Sequence, residues 1–250
     1  MNQILLITDG CSNVGDSPVA AAAQALAEGI SVNVIGVVDD GTIGEHGARE
    51  IAEIAKAGGG MSRIVSSRQL SRTMQMMTRM TVAGTIRQAV NLELKQLFGL
   101  ESVGELPPSK RAEVVRVMDE MEETSGLRVA LLIDTSASMK PKLHAVEEAV
   151  RDLALSLKAR TGRSLVAVLH YPGVNSRIPC ILDCAWTTDA DRLPHLYARL
   201  RMQGATPTGP AILAAVDYYR ETCGMINTEV AETPPKLAGD SSGVRSDYVV

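Results

Sequence analysis

Short unbroken apolar runs alternate along this chain with longer stretches of helical periodicity. Residues 4–8 (LLIT after Ile4) are aliphatic up to a threonine, and the run stops at Asp9-Gly10. A run without polar alternation reads as a strand buried on both faces, as parallel sheets require. The polar loop CSNVGDSP follows. Asp16 or Ser17 can cap a helix with Pro18 in its first turn, and an alanine-rich stretch carries that helix to Gly29, a good stop. Residues 30–38 predict a second buried strand and 45–56 a helix. Gly58 to Gly60 break it, and 61–65 predict a third short strand. Strand–helix–strand–helix–strand order implies a parallel sheet with helices on its faces.

From about residue 68 the pattern is helical for a long way. Leu70, Met74, Met77, Ile86, Val90, Leu94 and Leu97 recur at three or four, and methionines in such a stripe read as core. Residues 99–108 break the pattern. Residues 110–123 predict another helix, with Val114, Val117 and Met121 on its apolar side and the acids from Asp119 to Glu123 on a solvated one. The pattern then resets. Residues 127–133 predict a strand, followed by a helix that buries Leu143, Val146, Val150, Leu153 and Leu157. Residues 164–170 predict a strand, and 180–186 an antiparallel edge strand after a Pro-Gly turn. A helix at 193–201, the loop QGATPTGP, a helix at 211–220 and a flexible tail from about residue 221 complete the chain.

The chemistry concentrates in ALLIDTSASM, residues 130–139. Asp134 ends an apolar run, and Ser136 and Ser138 follow at alternate positions. A helix starts near Pro141, which suits a first helical turn. One carboxylate and two hydroxyls thus meet at the carboxyl end of a strand, where open α/β sheets bind ligands. All are hard oxygen donors, suited to Mg²⁺ or Mn²⁺. Singly, each residue has a plainer reading. The serines can cap the helix, Asp9 can start a turn with Gly10, and Thr206 can cap the helix after Pro207. Gly204 and Gly209 serve loop geometry on this reading. His144 reads as a surface or packing residue, since a hard metal prefers oxygen.

Composition narrows the classes. At 250 residues, with 45% hydrophobic and 22% charged, the chain is an ordinary soluble globular protein. Aromatic residues are 3%, with a single Trp and a single Phe, which leaves little for a base-stacking platform. A net charge of −4 also speaks against nucleic acid as a partner. Of the cysteines, Cys180 and Cys184 lie four apart, but Cys11 and Cys223 are remote and no histidine cluster joins them. Free thiols are expected rather than zinc. No signal peptide is visible, and no stretch is long enough to span a bilayer, so the expected location is cytoplasmic.

Three segments carry a resemblance. DTSAS matches the Asp-x-Ser-x-Ser signature of the metal-ion-dependent adhesion site (MIDAS) of von Willebrand factor A (VWA) domains. GATPTG resembles that family's second segment, which supplies a threonine, at Thr206. ILLITDG resembles the third, a strand ending in the last aspartate, at Asp9. The order differs from the family's, because the Asp9 segment opens the chain. Circular permutation accounts for this: 1–80 resembles the second half of the domain and 127–220 the first half. Residues 81–126 form a helical linker or insert, and 221–250 the tail. Closing a longer loop costs only about 0.6 kcal/mol per doubling of length. Pairing of the halves between two chains, as a domain-swapped homodimer, is the alternative. The overall layout resembles the YabS-type VWA proteins of spore-forming Firmicutes.

The expected fold is therefore α/β: a three-layer α-β-α arrangement on a mostly parallel six-stranded sheet with one antiparallel edge strand, Rossmann-like and permuted. The resemblance implies a metal held by Asp134, Ser136, Ser138, Thr206 and Asp9. It implies a non-enzymatic, metal-dependent protein-binding module that takes an Asp or Glu of a partner through bound Mg²⁺ or Mn²⁺. Nucleic acid and membrane are not expected partners. One rival is an Mg²⁺-dependent phosphohydrolase of the haloacid-dehalogenase kind. That pattern wants a second aspartate where Ser136 stands, and no Gly-rich phosphate loop appears either. The other is a helical scaffold with a non-functional metal site.

Overall fold

In the computed structural model of the chain, the described residues are 1–39, 43–175, 177–189 and 206–230, with side chains to 222. The helix expected at 193–201 and Gly204 lie outside them. The chain divides into a unit Met1–Val216, which carries the sheet, and a unit Asp217–Val250, whose described residues are helical.

Six strands form one sheet: β1 (Asn2–Thr8), β2 (Ile30–Val38), β3 (Gly59–Ser66), β4 (Leu127–Asp134), β5 (Ser164–Tyr171) and β6 (Ile181–Thr187). Their order is β3-β2-β1-β4-β5-β6. Neighbours are parallel except β5 and β6, which are antiparallel at the edge. The two chain segments that the sequence separates join at β1–β4 within one chain. Ile7 lies opposite Ile133 there, so both strands end level.

The helices are α1 (Pro18–Ala27), α2 (Glu45–Ala57), α3 (Leu70–Phe98), α4 (Pro108–Thr124), α5 (Leu143–Lys158) and α6 (Thr208–Val230). Strand alternation sorts them into layers. Leu5, Ile7, Ile35, Leu131, Ile133 and Val168 point to one face and pack with Met74 and Met77 of α3 and with Val146, Val150 and Leu153 of α5. Ile4, Leu6, Val34 and Leu132 point to the other, where α1 and α2 bury Ala21, Ala25, Ile51 and Ile54. Each Val, Leu, Ile or Met among them removed from water stabilises the fold by about 1.5–3 kcal/mol.

Several expectations are adjusted. The divide placed at residues 80 and 81 falls inside α3, which is continuous and packs through Leu70, Met74 and Met77 before it and Val82 and Ile86 after it. Further along, Leu97 and Phe98 are exposed, so the stripe outruns the body it packs on. On α4 the buried residue is Met118, with Val114 half-buried beside the core; Val117 and Met121 are exposed. Positions 114 and 118, one turn apart, make that contact. Pro141 lies within a 3₁₀ turn, Ala137–Lys142, and α5 begins at Leu143. α6 begins at Thr208 and runs to Val230, so residues 221–230, expected in the tail, are helical. Residues 231–250 lie outside the described ones. No helix among the described residues is long and apolar enough to cross a membrane.

Candidate metal centre

Because β1 and β4 end level, Thr8 and Asp134 arrive side by side at the carboxyl edge of the sheet. The Thr8 hydroxyl donates to Asp134 Oδ2 at 2.7 Å. The backbone N–H of Ser136 donates to Oδ1 at 2.8 Å, which folds the chain into a tight turn just past the strand. Asp134 is wholly buried. Burial pushes its carboxyl above the usual range; the Thr8 and Ser136 hydrogen bonds pull it back, and the charge of Asp9 adds to the rise.

The alternation of DTSAS then sorts the hydroxyls. Thr135 turns away, its Oγ1 donating to the Tyr171 carbonyl at 3.0 Å. Ser136 and Ser138 face each other, Oγ to Oγ at 3.2 Å. Ser138 Oγ donates to Asp9 Oδ1 at 2.8 Å, across 129 residues of sequence. Lys142 Nζ donates to Asp9 Oδ2 at 2.6 Å and to the Ser138 carbonyl at 3.3 Å. Asp134, Ser136, Ser138 and Asp9 thus form one connected polar chain at the mouth of the sheet.

Thr206 joins through its backbone. Its N–H donates to Asn13 Oδ1 at 2.7 Å, and its carbonyl accepts from Asn13 N and Ser12 Oγ, both at 3.2 Å. The loop after Asp9 therefore grips the residue. Two of the glycines allow close approach: an added Cβ at Gly209 would lie 2.0 Å from the Asp16 carbonyl oxygen, and one at Gly15 would lie 2.5 Å from Pro210. Gly209 is thus required by contact between α6 and this loop.

The plainer readings of Ser136 and Asp9 lose ground. Ser136 makes no capping bond to the 3₁₀ turn, and α5 has no side-chain cap. The Asp9-Gly10 turn is held by Gly10 N–H donating to Thr8 Oγ1 at 3.3 Å, which leaves the Asp9 carboxylate free for Ser138 and Lys142. His144 is exposed, 3.6 Å from Glu148.

Four neighbours of the site went unnoticed in the sequence. Thr8 and Asn13 flank Asp9, and strand register is the signal that would have found Thr8. Lys142, four residues past Ser138, reads as an ordinary surface lysine. Tyr171 lies opposite Asp134 in the β4–β5 ladder. Its hydroxyl is fully buried, and burial first, then the Asp134 charge, holds it well above its ordinary range. The Thr208 and Thr8 hydroxyls pull the other way, yet the Tyr171 oxygen has no hydrogen-bond partner within normal distance among the described residues.

The two carboxylates and two serine hydroxyls joined in that polar chain are hard oxygen donors, and the contacts of Thr206 given above are those of its backbone. Among the described residues no group of three or more His, Cys, Asp or Glu is placed to hold a metal. Cys11 and Cys180 are free thiols. The Cys223 side chain lies outside the described ones.

No protein-family model matches the chain. It is 47% identical over 222 residues to the uncharacterized protein YabS of Bacillus subtilis (strain 168), covering 88% of this chain and 90% of that one. It also matches the crystal structure of an uncharacterized protein from Alicyclobacillus acidocaldarius subsp. acidocaldarius DSM 446. That match has a TM-score of 0.82 and 45% identity, over 90% of this chain and 96% of that chain.

Proposed function

The chain belongs to the YabS family, and from the residues gathered at its sheet edge we propose that it is a cytoplasmic, non-enzymatic protein-binding module of the permuted VWA kind. The observation that carries the reading is the hydrogen bond from Ser138 Oγ to Asp9 Oδ1 at 2.8 Å, which joins two of the three segments of the resemblance. Asp134, Ser136, Ser138, Thr206 and Asp9 are the residues that would hold Mg²⁺ or Mn²⁺. Bound there, the ion supplies Lewis acidity toward an acidic side chain of a partner. The chain's part is to present neutral hydroxyls with few carboxylates, so that an outside Asp or Glu adds charge the site lacks. Asp134 is fixed by Thr8 and Ser136, and Asp9 by Ser138, so the donors are positioned before the ion arrives.

The test is thermal unfolding in Mg²⁺, Mn²⁺ or EDTA, for wild type and Asp134→Ala. A metal that binds only the folded form raises the melting temperature of wild type and not of the variant. An identical response of the two proteins would overturn the reading. Capture of a partner that survives EDTA would count against the metal's part in binding.

A further inference from the structure

The donor cluster contains a cation of its own. Lys142 Nζ sits 2.6 Å from Asp9 Oδ2, with the two side chains only 12% and 4% exposed. Such a pair is poorly screened by salt. The Ser138 hydroxyl holds the other Asp9 oxygen, so both oxygens are engaged. One short turn, Ala137–Lys142, delivers both partners, and the ammonium also bonds the Ser138 carbonyl at 3.3 Å. Of the two carboxylates in the cluster, one is therefore already neutralised.

We propose that Lys142 is a resident competitor of the divalent cation: it holds Asp9 in the metal-free protein and must give it up when the ion binds. This rests on the metal-site reading above. The physical reason is charge. With the ammonium in place the donors carry one net negative charge, and without it two. A doubly charged ion taken up by Asp9 would also meet direct repulsion from an ammonium on the same carboxylate, in a partly desolvated setting. Lysine suits the task because its charge rides on a flexible four-carbon stem that can withdraw toward solvent while the backbone turn stays put. Lys142 thereby lowers the affinity for Mg²⁺. Metal binding in turn frees a buried ammonium at the rim of the site.

Calorimetric titration of Mg²⁺ and Mn²⁺ into wild type, Lys142→Met and Lys142→Arg tests this. Lys142→Met is expected to bind at least about tenfold more tightly than wild type, and Lys142→Arg, which keeps the charge, within about threefold of it. A second readout is acylation of Lys142 by an amine-reactive reagent, followed by mass spectrometry. The lysine is expected to be protected in EDTA and labelled in Mg²⁺. Binding by Lys142→Met alone would overturn the proposal, because the lysine of the wild type would then never give Asp9 up. Equal affinity of all three proteins would overturn it and leave the metal site standing. Absence of binding in all three, with native melting curves, would bring down the metal site and this proposal together.

Discussion

The Thr8 hydroxyl and the Asp134 carboxylate share a hydrogen bond of 2.7 Å although 126 residues separate them. It is the point where the opening strand and the fourth strand are locked at the same level. Asp134 is fully buried, so its oxygen has no water to fall back on. Thr8→Val keeps the shape and removes the donor. The expected cost is about 1–3 kcal/mol, because the bond is lost and the acceptor stays buried. Thr8→Ser should recover most of it. Urea unfolding of the three proteins in EDTA checks this, and a Thr8→Val protein as stable as wild type would show that the bond contributes nothing.

Asp134 also sets a pH dependence. Its carboxyl is raised in the folded state, burial being the main cause. The folded protein then holds a proton that the unfolded chain releases, so stability falls as pH rises from the ordinary carboxylate range through the folded value. Above that range the charged Asp134 is a net cost in the absence of metal. Asp134→Asn, which can still accept from Ser136, is expected to flatten the pH slope and to match or exceed wild-type stability at neutral pH in EDTA, while losing the response to Mg²⁺. Melting temperatures measured from pH 4 to 8 with EDTA would contradict this if the variant kept the wild-type slope.

The parts of the site carried by local pattern were readable in the chain. An apolar run ending in Asp, followed by hydroxyls at alternate positions, places Asp134, Ser136 and Ser138 without tertiary knowledge. Asp9 was readable for the same reason, as the end of another buried run. Lys142 was not, because nothing local distinguishes a lysine that folds back onto a carboxylate from one in solvent. The grip of Asn13 on Thr206 spans 193 residues and leaves no periodic trace. Helical periodicity likewise could not say where α3 leaves the body. Leu94 is buried and Leu97 is exposed although both fit the stripe, since what decides is whether another element lies opposite. At α6 the polar, Pro-containing composition past residue 220 pointed to a tail, while the helix continues to Val230.

Asn13 holds the backbone of Thr206, the donor proposed from the segment just before α6. Its side chain accepts from the Thr206 N–H at 2.7 Å. Asn13→Ala removes that acceptor from a loop that keeps its backbone bond, so the loss of stability in EDTA is expected to be only about 0.5–1.5 kcal/mol. On the proposed metal reading, affinity should fall further, about tenfold, because the Thr206 segment is no longer held in place. Asn13→Asp, which retains the acceptor, should keep most of the affinity. Paired urea and Mn²⁺ titrations separate the two effects. An affinity unchanged in Asn13→Ala would remove Thr206 from the donor set.

On the far side of β5 a cysteine is held in its thiol form by burial and by a neighbouring carboxylate. Asp183 Oδ2 lies 2.7 Å from His170 Nδ1, and both side chains are nearly buried. Cys180 is pushed up to about 11, by burial first and by the Asp183 charge second. At pH 8 only about 0.1% of it is thiolate, against about 10% for an ordinary cysteine of pKa near 9, and the thiolate is the reactive form. Alkylation of Cys180 should therefore be slow at pH 8 and climb about tenfold per pH unit toward pH 10. Asp183→Asn removes the nearby charge but leaves the burial, so it should speed labelling at pH 8 only in part, well short of the rate in urea. The same shift gives a sign for stability. A thiol raised in the folded state favours folding below pH 9 and withdraws that contribution as pH climbs through about 11. Mass-resolved labelling with iodoacetamide checks the first claim. A Cys180 rate at pH 8 equal to that of the urea-unfolded chain would show that neither the burial nor the carboxylate protects it.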